Sequence, residues 1–479
     1  MQSDPSTVSL KKVLAFVASF SSSVLAQSGV TVNVGTKFQT IEGFGVSQAF
    51  GRAKEIQNAP AALQKQGLDY LFSTTTGAGF TIIRNRIGSG GNGDSILPTS
   101  PGSPNGTPSY KWNNDDSGQV WFSKQAMSYG VKTIYADAWS APGFMKTSGN
   151  EATPGFLCGT TGHTCPSGDW RQAYANFLSQ YIKLYSQAGI PVTHVGFLNE
   201  PDYKPSYSQM QISTNAQEAN SFIPTLYNTL RANGQSNIKI ACCDAVGWPM
   251  AETHTKAMVA AGMEQYLGIV TGHTYSGDAN KALSTKLPVW VTEGAPLSIP
   301  FTTTWYSNGG EAEGMTWANK LAVGFVNSNL SAFVYWQGFQ IRQTQSSSHL
   351  VDSSDGVKAT PSGIFWAFAM WSRHIRPGAR RLGTAGSVAN TITGAFQNTD
   401  GSIVVVFTNS GAAAQSSKVA FNGFTAGAAS AWVTDASRKF ASLASTVSAG
   451  AVTVSIPARS VVTVKLTGTA AAKLRPRRP

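Results

Sequence analysis

Charge is what this chain of 479 residues has least of. Asp, Glu, Lys and Arg together make up 13% of it, against a usual share of about 25%. Its exposed faces must then rely on Ser, Thr, Asn and Gln, while 48 glycines point to many loops; the composition suits an exported enzyme better than a cytosolic hub. The residual balance is basic, +12, but apart from the terminal KLRPRRP (473–479) the Lys and Arg residues are dispersed. No basic helix or ribbon of the kind that nucleic acid requires is present, and an anionic polysaccharide is the partner class such a charge fits. Motifs for cofactors are missing too: there is no HExxH, no Gly-rich nucleotide loop and no Ser elbow, and only six His residues occur. The expectation is an enzyme without metal or cofactor.

A long hydrophobic run is also lacking. The N-terminal VLAFVASFSSSVLA, preceded by Lys11 and Lys12, falls short of the ~20 apolar residues needed to span a bilayer. It ends at Ala26, with Val24 and Ala26 placed as at a small-residue cleavage site, so residues 1–26 read as a signal peptide and the mature chain as a secreted, soluble monomer without a membrane partner. Cysteines number four. Cys158 and Cys165 bracket GTTGHT, and in an oxidising compartment a disulfide closing that loop is expected; a metal site recruiting His163 would lack a second ligand pair. Cys242 and Cys243 end the apolar run IKIACC, where they form either a vicinal bridge or buried thiols, the thiols being expected. Asn105-Gly-Thr and Asn329-Leu-Ser are acceptor triplets for glycans.

Between residues 39 and 372 short apolar runs alternate with helical patterns. Eight such runs end in polar or Gly residues: TIEGFGVS, FTIIRNRIGS, KTIYADAWSA, THVGFLNEP, KIACCDAVG, IVTGHTYSG, PVWVTEGAP and AFVYWQGFQ. In WRQAYANFLSQYIKLYSQAG, residues Tyr174, Phe177, Leu178, Tyr181 and Leu184 share one helical face. Eight strand–helix units predict an α/β fold, a (β/α)8 TIM barrel. From residue 373 to 468 the helical pattern stops, and alternating runs such as GSIVVVFTNSG predict an antiparallel β-sandwich, joined by the similarly alternating segment 27–38; residues 469–479 read as a disordered basic tail.

Barrel enzymes place their chemistry at the carboxyl ends of the strands. Two run endings are acidic, Glu200 in FLNEPD and Glu293 in WVTEG. Two carboxylates in one cleft are the requirement for glycoside hydrolysis, in which one protonates the leaving oxygen and the other attacks the anomeric carbon. Asn199 is placed to bind a sugar hydroxyl and Tyr275 to orient Glu293. Trp139 and Trp336 offer faces for a sugar ring. Arg84 and Arg86, two apart on the second run, point the same way, and one of them is expected to hold Glu293 ionised. Arg52 and Arg342 are candidates for gripping a substrate carboxylate.

Four motifs in order, GFG (43–45), SAPGFMK (140–146), FLNEPD (197–202) and WVTEG (290–294), resemble glycoside hydrolase family 30 and the texture of its fungal secreted xylanases. The resemblance implies a barrel with a side β-sandwich built from both termini and a retaining mechanism. Glu200 is then the acid/base and Glu293 the nucleophile, with Asn199 and Tyr275 in support and Trp139 and Trp336 lining the subsite of the scissile sugar. It implies β-1,4-xylan, and glucuronoxylan in particular, as substrate. The stretch QGFQIRQTQSSS departs from the bacterial pattern for glucuronate recognition, which makes Arg52 rather than Arg342 the anchor. The insertion at 88–112 would wall one end of the cleft and favour release of short units such as xylobiose, with Asn92 capping a chain end. The rival activities are a β-1,6-glucanase or a glucosylceramidase-like enzyme, and a non-catalytic carbohydrate-binding protein from another class.

Overall fold

The computed structural model describes residues 27–90, 93–342 and 346–470. The proposed signal peptide, Asn92 and residues 471–479 lie outside that range. The chain opens with a long strand, β1 (Gln27–Thr40), and then enters a closed barrel of eight parallel strands. These are β2 (Gly43–Ser47), β3 (Ile82–Ile87), β4 (Thr133–Ala138), β5 (His194–Gly196), β6 (Lys239–Ala245), β7 (Ile269–His273), β8 (Val289–Glu293) and β9 (Ala332–Tyr335). Each of the eight apolar runs supplies one of them, in order. Two further strands, β10 (Gln337–Ile341) and β11 (His349–Ser353), pair in parallel just beyond β9.

Strand alternation sorts the barrel interior into layers. Ile82, Tyr135, Ala241, Ile269, Trp290, Ala332 and Val334 form an apolar cluster inside the barrel toward the amino ends of the strands. One step further along, Arg84 of β3 pairs in register with Tyr135 of β4, and then Arg86 with Asp137. The residues between, such as Ile83 and Ile134, face outward into the core shared with the helices, including Tyr174, Phe177 and Leu178 of the helix Arg171–Gln187. Gly196 of β5 has a packing reason: a Cβ there would collide with the Asp137 carboxylate and the Tyr135 hydroxyl, so only glycine leaves room for a polar layer in the barrel centre.

The sandwich is one curled sheet of ten strands among the described residues, nine of them between Arg380 and Ala470 and the other being β1. β1 runs antiparallel to Arg380–Ala385 but parallel to Gln415–Asn422. The fully antiparallel expectation is corrected here: β1 arrives from the far end of the chain, so no hairpin dictates its direction. Its last strand continues to Ala470, which pairs with Phe424, so Thr469 and Ala470 belong to the sheet and not to a disordered tail. The segment Ile403–Asn409 is buried on both faces. Ile403, Val405 and Phe407 face the sandwich core, and Val404 and Val406 join the barrel core that holds Trp371 and Met370. The sandwich is thereby docked on the barrel's last helices by ordinary apolar packing. Among the described residues no helix is long and apolar enough to cross a membrane.

Cys158 and Cys165 are joined by a disulfide with Cα atoms 5.5 Å apart, and His163 between them stacks on Phe156 and binds Glu218 at 2.9 Å. Cys242 and Cys243 are also bonded to each other, across a cis peptide. The thiol expectation is corrected; the burial expectation holds, since both residues are under 3% exposed. Asn105 and Asn329 are exposed, and Arg381 donates to the Asn329 side-chain oxygen at 2.7 Å.

Candidate active site

Glu293 ends β8, and Glu200 sits four residues past β5 with φ at +45°, a left-handed backbone that a non-glycine residue adopts at a cost of order 1–3 kcal/mol. Pro201 and Asp202 complete the turn: Tyr203 N–H donates to Glu200 O at 3.0 Å, and Asp202 accepts from the Val246 amide at 2.9 Å. The Glu200 amide itself donates to Asp244 O at 2.8 Å. Both carboxyls are nearly closed to solvent, each 5% exposed. One ligand atom each from Glu200, His273 and Glu293 lie within 4.8 Å of one another, so the carboxylates are close neighbours.

Beneath them lies a buried charge network. Arg84, with no exposed surface, donates to Glu293 Oε2, to Asn199 Oδ1 at 2.6 Å, to Asp137 Oδ2 at 2.7 Å and to Asp244 Oδ2 at 3.1 Å. The Tyr275 hydroxyl donates to Glu293 Oε1 at 2.7 Å. His273 Nδ1 lies 3.0 Å from Glu200 Oε1, and its Nε2 3.7 Å from Asp244 Oδ2. Asp244 also accepts from Tyr135 at 2.9 Å and Thr292 at 2.6 Å. Burial alone would drive His273 toward neutrality, but the Glu293 and Asp244 charges and the Glu200 hydrogen bond push its pKa up to about 10, so it carries a proton at neutral pH. Burial also works against an ionised Asp244, yet the nearby His273 and Arg84 charges hold it well below the ordinary carboxylate range. Asp137 goes the other way, raised by burial and by the Asp244 charge. For Glu293, burial raises the pKa and the Glu200 charge adds to it, while His273 and Arg84 pull against them. The centre therefore sets two cations, Arg84 and His273, among the carboxylates. By donor type Glu200, His273 and Glu293 would suit a cation, but Tyr275 and Arg84 already take both Glu293 oxygens and the guanidinium would repel it.

Aromatic rings close one side. Trp139 is buried, with the Arg84 guanidinium 4.4 Å from its ring centre. Phe50 stands 5.5 Å from Trp139 and 6.0 Å from Trp336, and the two tryptophans are 6.0 Å apart. Of the two arginines on β3, Arg84 reaches Glu293; Arg86 instead pairs with Asp94 of the insertion and lies 4.5 Å below Phe50. Arg52 opens the short helix Arg52–Gln57, two residues after Phe50, and is paired with Glu55, its Nε buried without a partner among the described residues. Arg342 is exposed and lies at hydrogen-bond limit, 3.4 Å, from Asp355 O. Sequence reasoning passed over Asp137, Asp244, His273 and Phe50, and also Tyr207, whose hydroxyl lies 3.5 Å from Glu200 Oε2, and Gln209, whose Nε2 donates to Glu200 O. For two of them a signal was present: Asp137 is two residues before Trp139 and His273 two before Tyr275, so strand alternation from residues already chosen points to both.

Comparison with known proteins agrees with this geometry. Residues 41–376 match the model described as glycosyl hydrolase family 59, and residues 378–464 the model of the glycosyl hydrolase family 30 beta sandwich domain. A solved structure, the catalytic domain of a GH30 xylanase C from Talaromyces cellulolyticus, is 51% identical, with 92% of this chain and all of that one covered at a TM-score of 0.88. The chain belongs to glycoside hydrolase family 30. The family 59 model matches the barrel alone, whereas the sandwich and the whole-chain likeness both carry the family 30 description. A family 30 subfamily 8 xylanase from Clostridium acetobutylicum shares the fold at 22% identity, 92% and 100% coverage and a TM-score of 0.68. Among curated proteins, "Putative glucosylceramidase 1" of Caenorhabditis elegans is 25% identical over 80% of this chain and 76% of its own length. This family 30 member is a glycoside hydrolase, and a polysaccharide fits it as substrate.

Proposed function

We propose that the chain is a secreted, retaining β-glycosidase that cleaves β-1,4-xylosidic bonds in xylan, with glucuronoxylan as its preferred form. The observation that carries the mechanism is the close approach of Glu200 and Glu293, within 4.8 Å at their nearest ligand atoms. Retaining enzymes hold their carboxyls about 5 Å apart, whereas inverting ones need about 6.5–9.5 Å to admit a water between them. Glu293, held by Arg84 and Tyr275, attacks the anomeric carbon as Glu200 gives its proton to the departing oxygen. The C–O bond breaks and a glycosyl ester forms on Glu293. Water then attacks the same carbon, Glu200 takes its proton, and Glu293 leaves as carboxylate. Protonated His273 beside Glu200 and the Arg84 charge beside Glu293 stabilise each carboxylate in the step where it is anionic. Asn199 contributes its amide NH2 group, which is buried and without a partner among the described residues while its oxygen is taken by Arg84; it is free to donate to a sugar hydroxyl.

Xylan as substrate is supported by the 51% identical xylanase structure, and export by the N-terminal segment. Arg52 is the proposed anchor for a glucuronate branch, with Glu55 as the group that branch would displace. Mass spectrometry of products from glucuronoxylan, linear xylan and β-1,6-glucan tests this for wild type, Glu200→Gln and Arg52→Ala. Acid-substituted xylo-oligosaccharides from wild type, absent with Glu200→Gln and sharply reduced with Arg52→Ala, are expected. Cleavage of β-1,6-glucan alone would overturn the xylan assignment.

A further inference from the structure

Two tyrosines beside the catalytic centre have no role in the chemistry above. Tyr203 and Tyr207 are 49% and 44% exposed, and with Phe50 they are the exposed aromatic rings closest in the chain to strand ends of the site. Tyr207 reaches Glu200, its hydroxyl 3.5 Å from Oε2. Neither ring stacks on another aromatic ring among the described residues, whereas Trp139, Trp336 and Phe50 pack against each other at 5.5–6.0 Å.

The loop that presents them is fixed at its base. Gln209 is fully buried; its Nε2 donates to Glu200 O and, at 3.1 Å, to Tyr203 O. Its own carbonyl accepts from Lys146 Nζ at 2.6 Å and Ser140 Oγ at 3.3 Å. Lys146, the last residue of SAPGFMK, spends its remaining donors on Glu151 O and Thr153 O, both at 2.9 Å, so its ammonium serves the loop and not the substrate. A pinned loop holding two half-exposed rings, neither stacked on another ring among the described residues, forgoes the burial those rings would otherwise gain. A sugar ring is the surface that recovers it.

Position then gives direction. The proton donor of a glycosidase stands at the bond being broken, between the sugar that is retained on the enzyme and the one that departs. Trp336, whose amide donates to Gly294 O at 3.2 Å, stands beside Glu293 with Trp139 6.0 Å from it, and Tyr207 touches Glu200. We propose that Tyr203 and Tyr207 form the platform for the departing sugar, so that a pyranose chain runs from Trp139 and Trp336 at its retained end to the two tyrosines at its leaving end. This rests on the retaining-glycosidase reading of Glu200 and Glu293.

The test uses the mature wild type with Tyr203→Ala, Tyr207→Ala, the double variant and Tyr207→Phe. Each is assayed on the polymer that wild type cleaves and on the glycosyl fluoride of the same retained sugar, whose leaving group needs no platform. Added acceptor sugar then reads the partition between transfer and hydrolysis, which divides after the glycosyl-enzyme has formed. In the double variant kcat/KM on polymer is expected to fall about tenfold or more, mostly through KM. Fluoride hydrolysis stays within about twofold and the transfer-to-hydrolysis ratio drops. Tyr207→Phe, which keeps the ring, retains polymer activity. Equal losses on both substrates, or an unchanged partition ratio, would overturn the platform, since damage to Glu200 slows transfer and hydrolysis together. A wild type inert on polymer and fluoride alike would instead contradict the glycosidase reading itself.

Discussion

Glu293 and Glu200 are chemically the same group, and the protein supports them in opposite ways. Glu293 ends a barrel strand and is held by Arg84, which reaches it across the barrel from β3, and by Tyr275, just past the adjacent strand β7. Glu200 lies beyond its strand, in a left-handed turn, held by His273 and by a loop that Gln209 ties back to its carbonyl. The first arrangement fixes the proposed nucleophile against a buried counter-charge. The second sets the proposed proton donor on a loop beyond its strand, where a leaving group must come and go.

Breaking the Glu293 side should have the larger effect. Glu293→Gln is expected to lower kcat by about four orders of magnitude or more on any glycan substrate, with folding intact by circular dichroism. Arg84→Met strands Asp244 and Glu293 without their cation in a dry interior, and should cost about 3–5 kcal/mol in denaturant unfolding as well as most of the activity. On the Glu200 side, Gln209→Ala removes a pin and not a reacting group; kcat should fall roughly tenfold, as for a misplaced general acid, with a smaller loss on a glycosyl fluoride than on polymer.

His273 connects the two halves and gives the comparison a pH dependence. Its folded pKa, about 10, exceeds the ordinary 6.5, so the native state holds a proton that the unfolded chain releases. The contribution to stability is full below about pH 6.5 and declines as pH rises through about 10. A plot of Tm against pH should therefore slope down across that window in wild type, and less steeply in His273→Gln. Smallest of all for catalysis is the outer loop: Cys158→Ser with Cys165→Ser, opening a bridge of sequence separation 7, should cost about 2 kcal/mol of stability and leave kcat within about twofold.

What could be read in advance follows the same division. Barrel strands reveal themselves by short apolar runs with polar ends, so Glu200, Glu293 and Tyr275 were identifiable from where a run stops, and Arg84 from its two-residue spacing to Arg86 within a run. Asp137 and His273 obeyed the period of two, and were within reach of that rule. Asp244 was not, because β6 slips register between Cys242 and Ala245, and a bulge hides which face a residue takes. Phe50, Tyr207 and Gln209 stand on loops, where no periodicity says what a side chain will touch. The vicinal Cys242–Cys243 bond also escaped, since adjacent buried cysteines read the same from sequence whether bonded or free.

The central claim is that Glu293 attacks sugar directly and Glu200 serves it as acid and base. It is tested most directly by following the anomeric proton of the newly released reducing end by NMR in the first minutes of xylan cleavage, before mutarotation. The account predicts that the β-anomer appears first. Initial release of the α-anomer would show inversion through a single displacement and contradict it.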